Sequence, residues 1–322
     1  MMKNIKVFAP ENTKVLAQKV VNLLGLDLGR NSLSIYSDGE IQPKTNESVS
    51  GKKVYVIHSL TPPAENLIEL GLLGRSLSSA RKRVLVLTYM GYARQDRKDK
   101  PGVPIGAKWI ADVISISGFD EVVCIDLHAE QIEGFFPIKV RHVSAGRVFV
   151  PYIRSLNLEN LLIASPDNGG GKRAAEYAST LGVEMVLCYK SRSGPNKVAE
   201  IRILGDVEGK DVVIVDDLID TAGSITKVAD KMIAEGAISV RACITHPVMS
   251  GGAYGNIEKS SLKELITTDT IPLKSVDKFV DPEKSLAKIH VITIDQMLAD
   301  IIKRLHNNQG LDSHFNLRRY EK

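Results

Sequence analysis

Apolar residues along the chain follow two alternating patterns. Short runs of mostly β-branched residues, such as Val212–Val215, are typical of buried parallel strands. Between these runs lie longer segments in which apolar residues recur every three or four positions, as in Ser224–Ala234, which stops before Gly236. Strands that alternate with helices predict an α/β fold of parallel sheets covered by helices on both faces.

The same patterns predict elements throughout the chain. The predicted strands are Asn4–Phe8, Leu33–Tyr36, Val54–Ile57, Val84–Leu87, Val122–Ile125, Leu161–Ala164, Glu184–Cys188, Val212–Val215, Val240–Thr245, Leu265–Thr268 and His290–Ile294. The predicted helices are Thr13–Leu24, Ala64–Ala80, Pro104–Ser117, Lys172–Leu181, Ser224–Ala234 and Asp295–His306. Two polar stretches, Gly91–Val103 and Ser191–Val198, are predicted to be mobile loops at carboxyl ends of strands, where α/β proteins bind ligands.

Length and pattern together predict two domains. A chain of 322 residues exceeds one comfortable hydrophobic core, and strands alternate with helices in both halves. The alternation is interrupted near Val143–Gly146. We therefore expect two similar domains over residues 1–145 and 146–305, each a parallel, doubly wound sheet flanked by helices. Residues 306–322 are expected to be a tail that packs back or is solvated.

Composition narrows the possible partners. The chain is 43% hydrophobic and 25% charged, with a net charge of +4 and only 5% aromatic residues. This balance is typical of a globular protein and gives no reason to expect nucleic-acid binding. The three cysteines, Cys124, Cys188 and Cys243, lie in apolar runs and are expected to be buried and reduced. Because we find no leader and no apolar stretch of bilayer length, we expect a cytoplasmic protein with no membrane partner.

The most informative segment is Val212–Ser224, VVIVDDLIDTAGS. A strand that ends in a loop and opens a helix gathers backbone N–H groups and the positive helix end at one place, which suits a phosphate. The carboxylates of Asp216 and Asp217 suit vicinal sugar hydroxyls, which donate hydrogen bonds to them. The segment therefore predicts a sugar-phosphate site. The alternative is an ordinary turn between a strand and a capped helix.

Two further segments carry cations at predicted strand ends. Tyr92–Lys100, YARQDRKDK, places Arg94 and Gln95 where a guanidinium could contact a purine or a phosphate. In YKSR, Lys190 and Arg192 stand at alternate positions and would point the same way if the strand continues through them. Two such cations can stabilise the charge of a transferring phosphoryl group. In both segments the alternative is a solvated run of charges.

Candidate metal ligands follow two other strands. His128 comes after one strand of the first half, and Asp167 comes after one strand of the second, in SPDNGGG. An imidazole and a carboxylate on neighbouring loops can share a Mg²⁺ ion that keeps waters and binds substrate phosphates. The alternative for His128 is a structural role. The GGGKR run is not a P-loop, because Lys172 is followed by Arg173 instead of Ser or Thr.

Together these segments resemble the ribose-phosphate pyrophosphokinase family, also called phosphoribosyl diphosphate synthetases. The resemblance runs from Asn4 to about Phe315, through YARQDRKDK, DLHAEQIEGFF, SPDNGG, YKSR and VDDLIDTAGS in the family's order. It implies a phosphoribosyltransferase-like fold. It also implies Mg²⁺-dependent transfer of a diphosphoryl group from ATP to the C1 hydroxyl of ribose 5-phosphate. The products would be AMP and phosphoribosyl diphosphate, which serves nucleotide, histidine and tryptophan biosynthesis.

The resemblance also assigns roles to single residues. The implied ATP contacts are Tyr36, Asp38, Gly39, Glu40, Arg94, Gln95, Asp96 and Asp99. The implied ribose 5-phosphate contacts are Arg192, Asp216, Asp217, Asp220, Thr221, Ala222, Gly223 and Ser224. His128 and Asp167 match the Mg²⁺ positions, and Lys190 with Arg192 match the catalytic pair. Because the family assembles as dimers and hexamers, the resemblance implies a dimer-based, hexameric homo-oligomer in which the Asp38–Glu40 loop contacts the adenine bound to a neighbouring subunit.

Three positions depart from the family's regulatory anion site, where phosphate activates and ADP inhibits. Glu130 stands where the family has Ser, and Gly310 and Asp312 align with two further serines. A carboxylate beside a bound anion costs about 1 kcal/mol in water and about 4 kcal/mol at an effective dielectric of about 20. We therefore expect activity that depends little on phosphate, and ADP inhibition that is mainly competitive at the ATP site.

Two other functions remain open from the sequence. A phosphoribosyltransferase would use the same Val212–Ser224 loop, but it would not need YARQDRKDK and would usually be shorter. A non-catalytic regulatory paralogue would bind and modulate an active synthetase, and the retained His128, Asp167, Lys190 and Arg192 argue against it. AMP that forms from ATP only when ribose 5-phosphate is present separates a synthetase from both.

Overall fold

The computed structural model describes residues 4–191, 200–275, 282–311 and Leu317. They form two compact units. The first contains residues 4–144 and 293–311, and the second contains the described residues between 145 and 292 together with Leu317.

The division of the chain differs from the predicted domains at the C-terminal end. The sequence places residues 293–305 in the second domain, whereas the structure groups them with the first unit. The reason is helix α9 (Asp295–His306), which packs against helix α1 (Lys14–Leu24). The Lys53 ammonium of the first unit also donates hydrogen bonds to the last carbonyls of α9, those of Leu305 and His306, at 3.0 and 3.2 Å.

Helices and strands alternate in both units. The strands are β1 (Ile5–Phe8), β2 (Asn31–Ile35), β3 (Ile41–Thr45), β4 (Lys53–Ser59), β5 (Lys82–Tyr89), β6 (Glu121–Ile125), β7 (Lys139–Val143), β8 (Leu161–Ser165), β9 (Met185–Ser191), β10 (Glu200–Leu204), β11 (Asp211–Ile219), β12 (Ser239–Pro247), β13 (Glu264–Thr268) and β14 (Ile289–Ile292). The remaining α-helices are α2 (Glu65–Ser76), α3 (Gly106–Ile116), α4 (Gly146–Ser155), α5 (Gly171–Leu181), α6 (Gly223–Ala234), α7 (Ala253–Lys259) and α8 (Pro282–Ala287), and 3₁₀ helices span Glu11–Thr13 and Glu130–Phe135. Within the described ranges, no helix has the length and apolar content needed to span a bilayer.

The first unit is built on a five-stranded parallel sheet in the order β1-β4-β5-β6-β7. Its central strands are buried on both faces, which explains continuous apolar runs such as Val54–Ile57 and Val84–Leu87. On one face, the core joins these strands to Leu70 of α2 and Ile110 of α3. Because the strands are parallel, all their carboxyl ends lie at one edge of the sheet.

Strands β2 and β3 form a separate antiparallel hairpin. The sequence predicts Leu33–Tyr36 as one member of the alternating strands and predicts no partner for it. The partner strand is β3, which contains Pro43. The sequence does not predict this strand, because proline is excluded from central strands and tolerated only at edges. In the two-stranded ribbon Pro43 lies opposite Leu33, and β3 packs against α2.

The second unit is built on a seven-stranded sheet in the order β10-β9-β8-β11-β12-β13-β14. β10 runs antiparallel to β9, and the other strands are parallel. The strand order reverses between β8 and β11, and such a switch point is where doubly wound sheets bind ligands. The prediction of parallel sheets flanked by helices is confirmed. The reversal of strand order that defines a doubly wound sheet occurs in the second unit. In the first unit the strand order follows the chain in one direction, so double winding is not seen among its described strands.

Helix α4 is an element that the sequence analysis did not predict. Pro151 lies inside it and suggests a helix break in the sequence. The helix forms because Phe149, Val150 and Ile153 are buried against the unit. Its first residue, Gly146, contacts Leu317, and a Cβ at this glycine would collide with the leucine side chain. Leu317, within the predicted tail, is therefore packed into the second unit.

Candidate active site

The predicted sugar-phosphate segment lies at the switch point of the second sheet. β11 continues beyond the apolar run Val212–Val215, so Asp216 and Asp217 lie within the strand and not after it. The extension forms because β12 runs alongside it, with Leu218 opposite His246. The two carboxylates are thereby held on regular strand backbone.

Residues 220–222 lead from β11 into α6. Ala222 has a left-handed backbone conformation, with φ of 63°, and is buried. This conformation is unfavourable for a residue that carries a Cβ. Gly223 and Ser224 follow as the first residues of α6, where N–H groups have no partner within the helix and the dipole favours an anion. The predicted residues Asp220–Ser224 thus surround a helix N-terminus.

One arginine lies between the two carboxylates of β11. Arg173, in the first turn of α5, donates from Nη1 to Asp217 Oδ1 at 3.2 Å and to Asp216 Oδ1 at 3.3 Å. Burial and the adjacent Asp217 carboxylate raise the pKa of Asp216 well above its usual range, and the Arg173 cation partly offsets this rise. In the sequence, Arg173 only excludes a P-loop. Its role was missed because its partners lie 43 and 44 residues away along the chain.

Asp167 lies beside this group, after β8. Its Oδ1 accepts hydrogen bonds from the N–H groups of Gly169 at 2.9 Å and Gly170 at 3.2 Å. Gly170 has no room for a side chain, since a Cβ there would lie 2.7 Å from Ser165 Oγ and 3.9 Å from Asp216 Oδ1. The glycines therefore let the start of α5 approach β11, and Asp167 reaches the same sheet edge as Asp216.

Lys190 lies near the carboxyl end of β9, opposite Ile201 of β10. β9 is the neighbour of β8, so Lys190 belongs to the sheet edge that carries Asp167. The strand continues through Ser191, past the predicted end at Cys188. Arg192, its predicted catalytic partner, lies outside the described residues.

In the first unit, four predicted ATP residues follow β5, namely Arg94, Gln95, Asp96 and Asp99. Both the backbone and the side-chain amide of Gln95 contact neighbouring residues. Its N–H donates to Tyr92 O at 3.0 Å, its carbonyl accepts from the Ala107 N–H at 3.1 Å, and its amide packs against Gly106. Arg94, Gln95 and Asp99 have exposed side chains, as a ligand-binding loop requires.

His128 lies in the turn after β6, and its side chain is exposed. The strand β7 supports this turn. His142 Nε2 accepts a hydrogen bond from the Leu127 N–H at 3.0 Å, which leaves the neutral ring's proton on Nδ1, 3.5 Å from Glu133 Oε1. His142 is a supporting residue that the sequence analysis missed, since a lone histidine in a strand carries no recognisable signal.

The two loops of this unit that carry predicted ligand contacts meet through polar side chains. Gln131, three positions after His128, donates from Nε2 to Asp96 Oδ2 at 2.9 Å. This bond joins the loop of predicted ATP contacts to the loop of the predicted metal ligand. The structure thereby brings Asp96 and His128 to neighbouring loops, as the parallel order of β5 and β6 leads one to expect.

The remaining predicted ATP residues form the turn of the β2–β3 hairpin. Tyr36 donates its N–H to Glu40 O at 2.8 Å, and Asp38 Oδ1 accepts the Glu40 N–H at 3.1 Å. Gly39 takes a positive φ of 93° that favours glycine. All four residues are exposed, and Tyr36 is 50% exposed. The turn is thus a hydrogen-bonded, exposed loop.

The donor set fits a Mg²⁺ ion better than an enclosed metal centre. In the part of the chain that the structure describes, no three His, Cys, Asp or Glu side chains are grouped so that they could hold a metal. Mg²⁺ is usually bound by one or two protein ligands together with waters and substrate phosphates. In the second unit the Asp167 carboxylate is a hard oxygen ligand of this kind, and in the first unit the exposed His128 is a separate nitrogen ligand.

Comparison with known proteins identifies the family. Residues 5–118 match the N-terminal domain of ribose phosphate pyrophosphokinase, and residues 180–316 match the phosphoribosyl synthetase-associated domain. The ribose-phosphate pyrophosphokinase of Porphyromonas gingivalis is 45% identical over 96% of each chain. The chain belongs to the ribose-phosphate pyrophosphokinase family. The ribose-phosphate pyrophosphokinase of Campylobacter jejuni is 42% identical over 98% of this chain and 100% of its own.

A solved structure agrees with this ribose-phosphate pyrophosphokinase assignment. The phosphoribosylpyrophosphate synthetase from Mycobacterium smegmatis matches with a TM-score of 0.83 and 31% identity, over 95% of this chain and 100% of its own. The family expected from five short segments is therefore confirmed over nearly the whole length of the protein.

Proposed function

We propose that this ribose-phosphate pyrophosphokinase transfers the β,γ-diphosphoryl group of ATP to the C1 hydroxyl of ribose 5-phosphate and releases AMP. The observation that carries the proposal is the meeting of the Asp216–Asp217 pair with the N-terminus of α6 at the switch point. A sugar phosphate needs carboxylates for its hydroxyls and N–H donors for its phosphate. Full-length relatives that carry the name of this activity support the same reaction.

On the sugar side, Asp216 and Asp217 accept hydrogen bonds from ribose hydroxyls. The 5-phosphate binds at the start of α6, where Gly223 contributes backbone N–H and Thr221 and Ser224 contribute hydroxyls. Thr221 and Ser224 are exposed at this helix end, which supports that assignment.

On the nucleotide side, Arg94, Gln95, Asp96 and Asp99 contact ATP. The outward-facing turn Tyr36–Glu40 contacts the adenine bound to a second copy of the chain, with the Tyr36 ring against the base. A turn that completes a neighbouring site requires a homo-oligomer, and we propose a dimer-based hexamer. We place the enzyme in the cytoplasm.

His128 and Asp167 are the residues that we assign to Mg²⁺. When bound, Mg²⁺ neutralises charge on the triphosphate, which is the Lewis-acid contribution to phosphoryl transfer. Asp167 Oδ1 accepts hydrogen bonds from two backbone N–H groups, and these bonds fix the orientation of the carboxylate. Orientation of a metal-binding carboxylate by hydrogen bonds is common in such sites.

Lys190 and Arg192 are the residues that we assign to the transition state. Their cations stabilise charge on the transferring group while the C1 hydroxyl attacks the β-phosphorus in line. The position of Lys190 at the end of β9 supports this role, because that sheet edge also holds Asp216. Positioning and charge neutralisation supply most of the catalysis in such a transfer, and no dedicated general base is needed.

The regulatory anion site is proposed to be weakened. Glu130 is exposed at the first position of a 3₁₀ helix, where its carboxylate replaces the hydroxyl expected in the family. A titration of phosphate at fixed free Mg²⁺ tests this. Nearly constant activity supports a weakened site, and steep activation contradicts it.

The reaction itself is tested by mixing the protein with ATP, Mg²⁺ and ribose 5-phosphate. AMP that appears only with the sugar supports the proposal. A phosphoribosyltransferase would instead consume phosphoribosyl diphosphate with a base, and a non-catalytic paralogue would form no AMP without an active partner.

A further inference from the structure

The loop after β11 is held by hydrogen bonds from a neighbouring segment, residues 249–256. The carbonyl oxygens of residues 219, 220 and 221 accept, in that order, from the Met249 N–H at 3.2 Å, the Ser250 N–H at 3.0 Å and Asn256 Nδ2 at 2.9 Å. The Ser250 hydroxyl also donates to the Asp220 carboxylate. Three consecutive carbonyls of the loop are therefore directed toward one side.

This arrangement determines where the loop's N–H groups point. In a planar trans peptide the carbonyl and the N–H point in opposite directions. The N–H groups of Asp220, Thr221 and Ala222 belong to the three peptides whose carbonyls face residues 249–256, so they point away from that segment. The N–H groups at the start of α6 follow directly. Successive N–H groups on one side of a turn form an anion-binding concavity.

The same bonds hold the loop in an unfavourable backbone conformation. Ala222 has φ of 63° although it carries a Cβ, and it directly follows the held residues. A strained residue of this kind persists only where surrounding contacts over-determine the backbone. Without those contacts, Ala222 would relax toward ordinary conformations and the N–H groups would lose their common direction.

We propose that Ser250 and Asn256 are positioning residues for ribose 5-phosphate. They hold the loop in the form that binds the 5-phosphate, without contacting the reacting atoms. The inference rests on the proposed function, and it changes the assignment of Asp220. The Asp220 carboxylate accepts the Ser250 hydroxyl, so it belongs to the support of the loop and not to the phosphate contacts.

The test compares Asn256→Asp, Asn256→Ala and Ser250→Ala with the control Lys259→Ala on the same helix. Asn256→Ala removes the donor without adding charge, whereas Asn256→Asp keeps the side-chain shape but replaces the donor by a carboxylate; Asn256 is exposed, so both variants should fold. We expect KM for ribose 5-phosphate to rise about tenfold, which corresponds to about 1.4 kcal/mol. We expect kcat, KM for ATP and the melting temperature to stay near wild type, and Lys259→Ala to change none of these.

The readouts separate the possible failures. If the wild type forms no AMP that depends on ribose 5-phosphate, the proposed function fails and the inference falls with it. If the wild type is active but the three variants keep the wild-type KM for ribose 5-phosphate, the inference alone is wrong. A lower kcat together with equally raised KM values for both substrates would indicate a merely structural role. That result would also overturn the inference.

Discussion

Arg173 Nη1 lies 3.2 Å from Asp217 Oδ1 and makes a second contact with the adjacent Asp216. Two neighbouring carboxylates in a partly buried setting repel each other, and a shared cation is the ordinary way to keep them charged. In this protein the cation comes from α5 and the carboxylates from β11. The contact therefore joins the glycine-rich segment to the sugar side of the site.

Replacement of Arg173 by Gln should weaken ribose 5-phosphate use most at low pH. Loss of the cation raises the pKa of Asp216 further, so a larger fraction is protonated as the pH falls and accepts sugar hydroxyls less well. We expect kcat/KM for ribose 5-phosphate to fall by about tenfold to hundredfold, with its acid limb moved to higher pH. Arg173→Lys should lower kcat/KM for ribose 5-phosphate less, because it keeps the positive charge. An unchanged acid limb in Arg173→Gln would contradict this role, and Lys231→Gln at the far end of α6 is the control.

Two substitutions at Asp167 separate its structural role from its proposed Mg²⁺ role. Asp167→Asn keeps an oxygen that can accept from Gly169 and Gly170 but removes the charge. We expect a wild-type melting temperature and about a tenfold higher Mg²⁺ concentration for half-maximal activity. Asp167→Ala removes the acceptor oxygen and the charge. It should raise the Mg²⁺ requirement and also lower the free energy of unfolding by about 1 kcal/mol. A wild-type Mg²⁺ requirement in Asp167→Asn would show that the carboxylate serves only the turn.

His58 should make the first unit sensitive to acid. Its side chain is fully buried in β4, and burial lowers its pKa to about 4, partly opposed by a contact with the Ser59 backbone. The unfolded chain binds the proton at its ordinary pKa of 6.5, so stability from this residue is present above that pH and is lost as the pH falls toward 4. At pH values below about 4, this residue lowers the free energy of unfolding by about 3 kcal/mol relative to neutral pH.

His58→Leu should remove this loss. Because leucine cannot be protonated, the urea midpoint of the variant should decline less than that of the wild type between about pH 7 and about pH 5. Parallel declines would show that other groups govern the acid sensitivity.

Gly146 and Leu317 should be energetically coupled. Gly146→Ala places a methyl group where Leu317 packs, and Leu317→Ala removes that side chain and leaves a space. Each single change should destabilise the second unit, by about 2 kcal/mol for Leu317→Ala. In the Leu317→Ala background, Gly146→Ala should be neutral or stabilising, since alanine is the better helix former. The same destabilisation by Gly146→Ala in both backgrounds would contradict the packing of Leu317.

Particular elements show what the sequence can and cannot predict. Helix α9 has the bounds predicted from its apolar stripe, Asp295–His306, because a helix is determined by residues close in sequence. β11 is longer than predicted because Asp216 and Asp217 favour turns locally, and only pairing with β12 keeps them in the strand. The family's segments follow the carboxyl ends of their strands in each sheet, but they give no information on the side chains that support those loops.

Arg173, His142 and Asn256 illustrate the part that sequence could not supply. Each contacts a predicted site residue or its neighbour through a bond that spans at least fifteen positions along the chain. Their residue types are common in solvated positions, so no local pattern distinguishes them. Their roles follow only from the adjacency of strands and helices in the folded sheets.

The central claim is the transfer of a diphosphoryl group, and the position of an isotopic label tests it most directly. ATP labelled at the β-phosphorus is incubated with the protein, Mg²⁺ and ribose 5-phosphate. The proposed reaction predicts that the label moves to the sugar product while unlabelled AMP forms in equal amount. Labelled ADP, or AMP formed without the sugar, would contradict it.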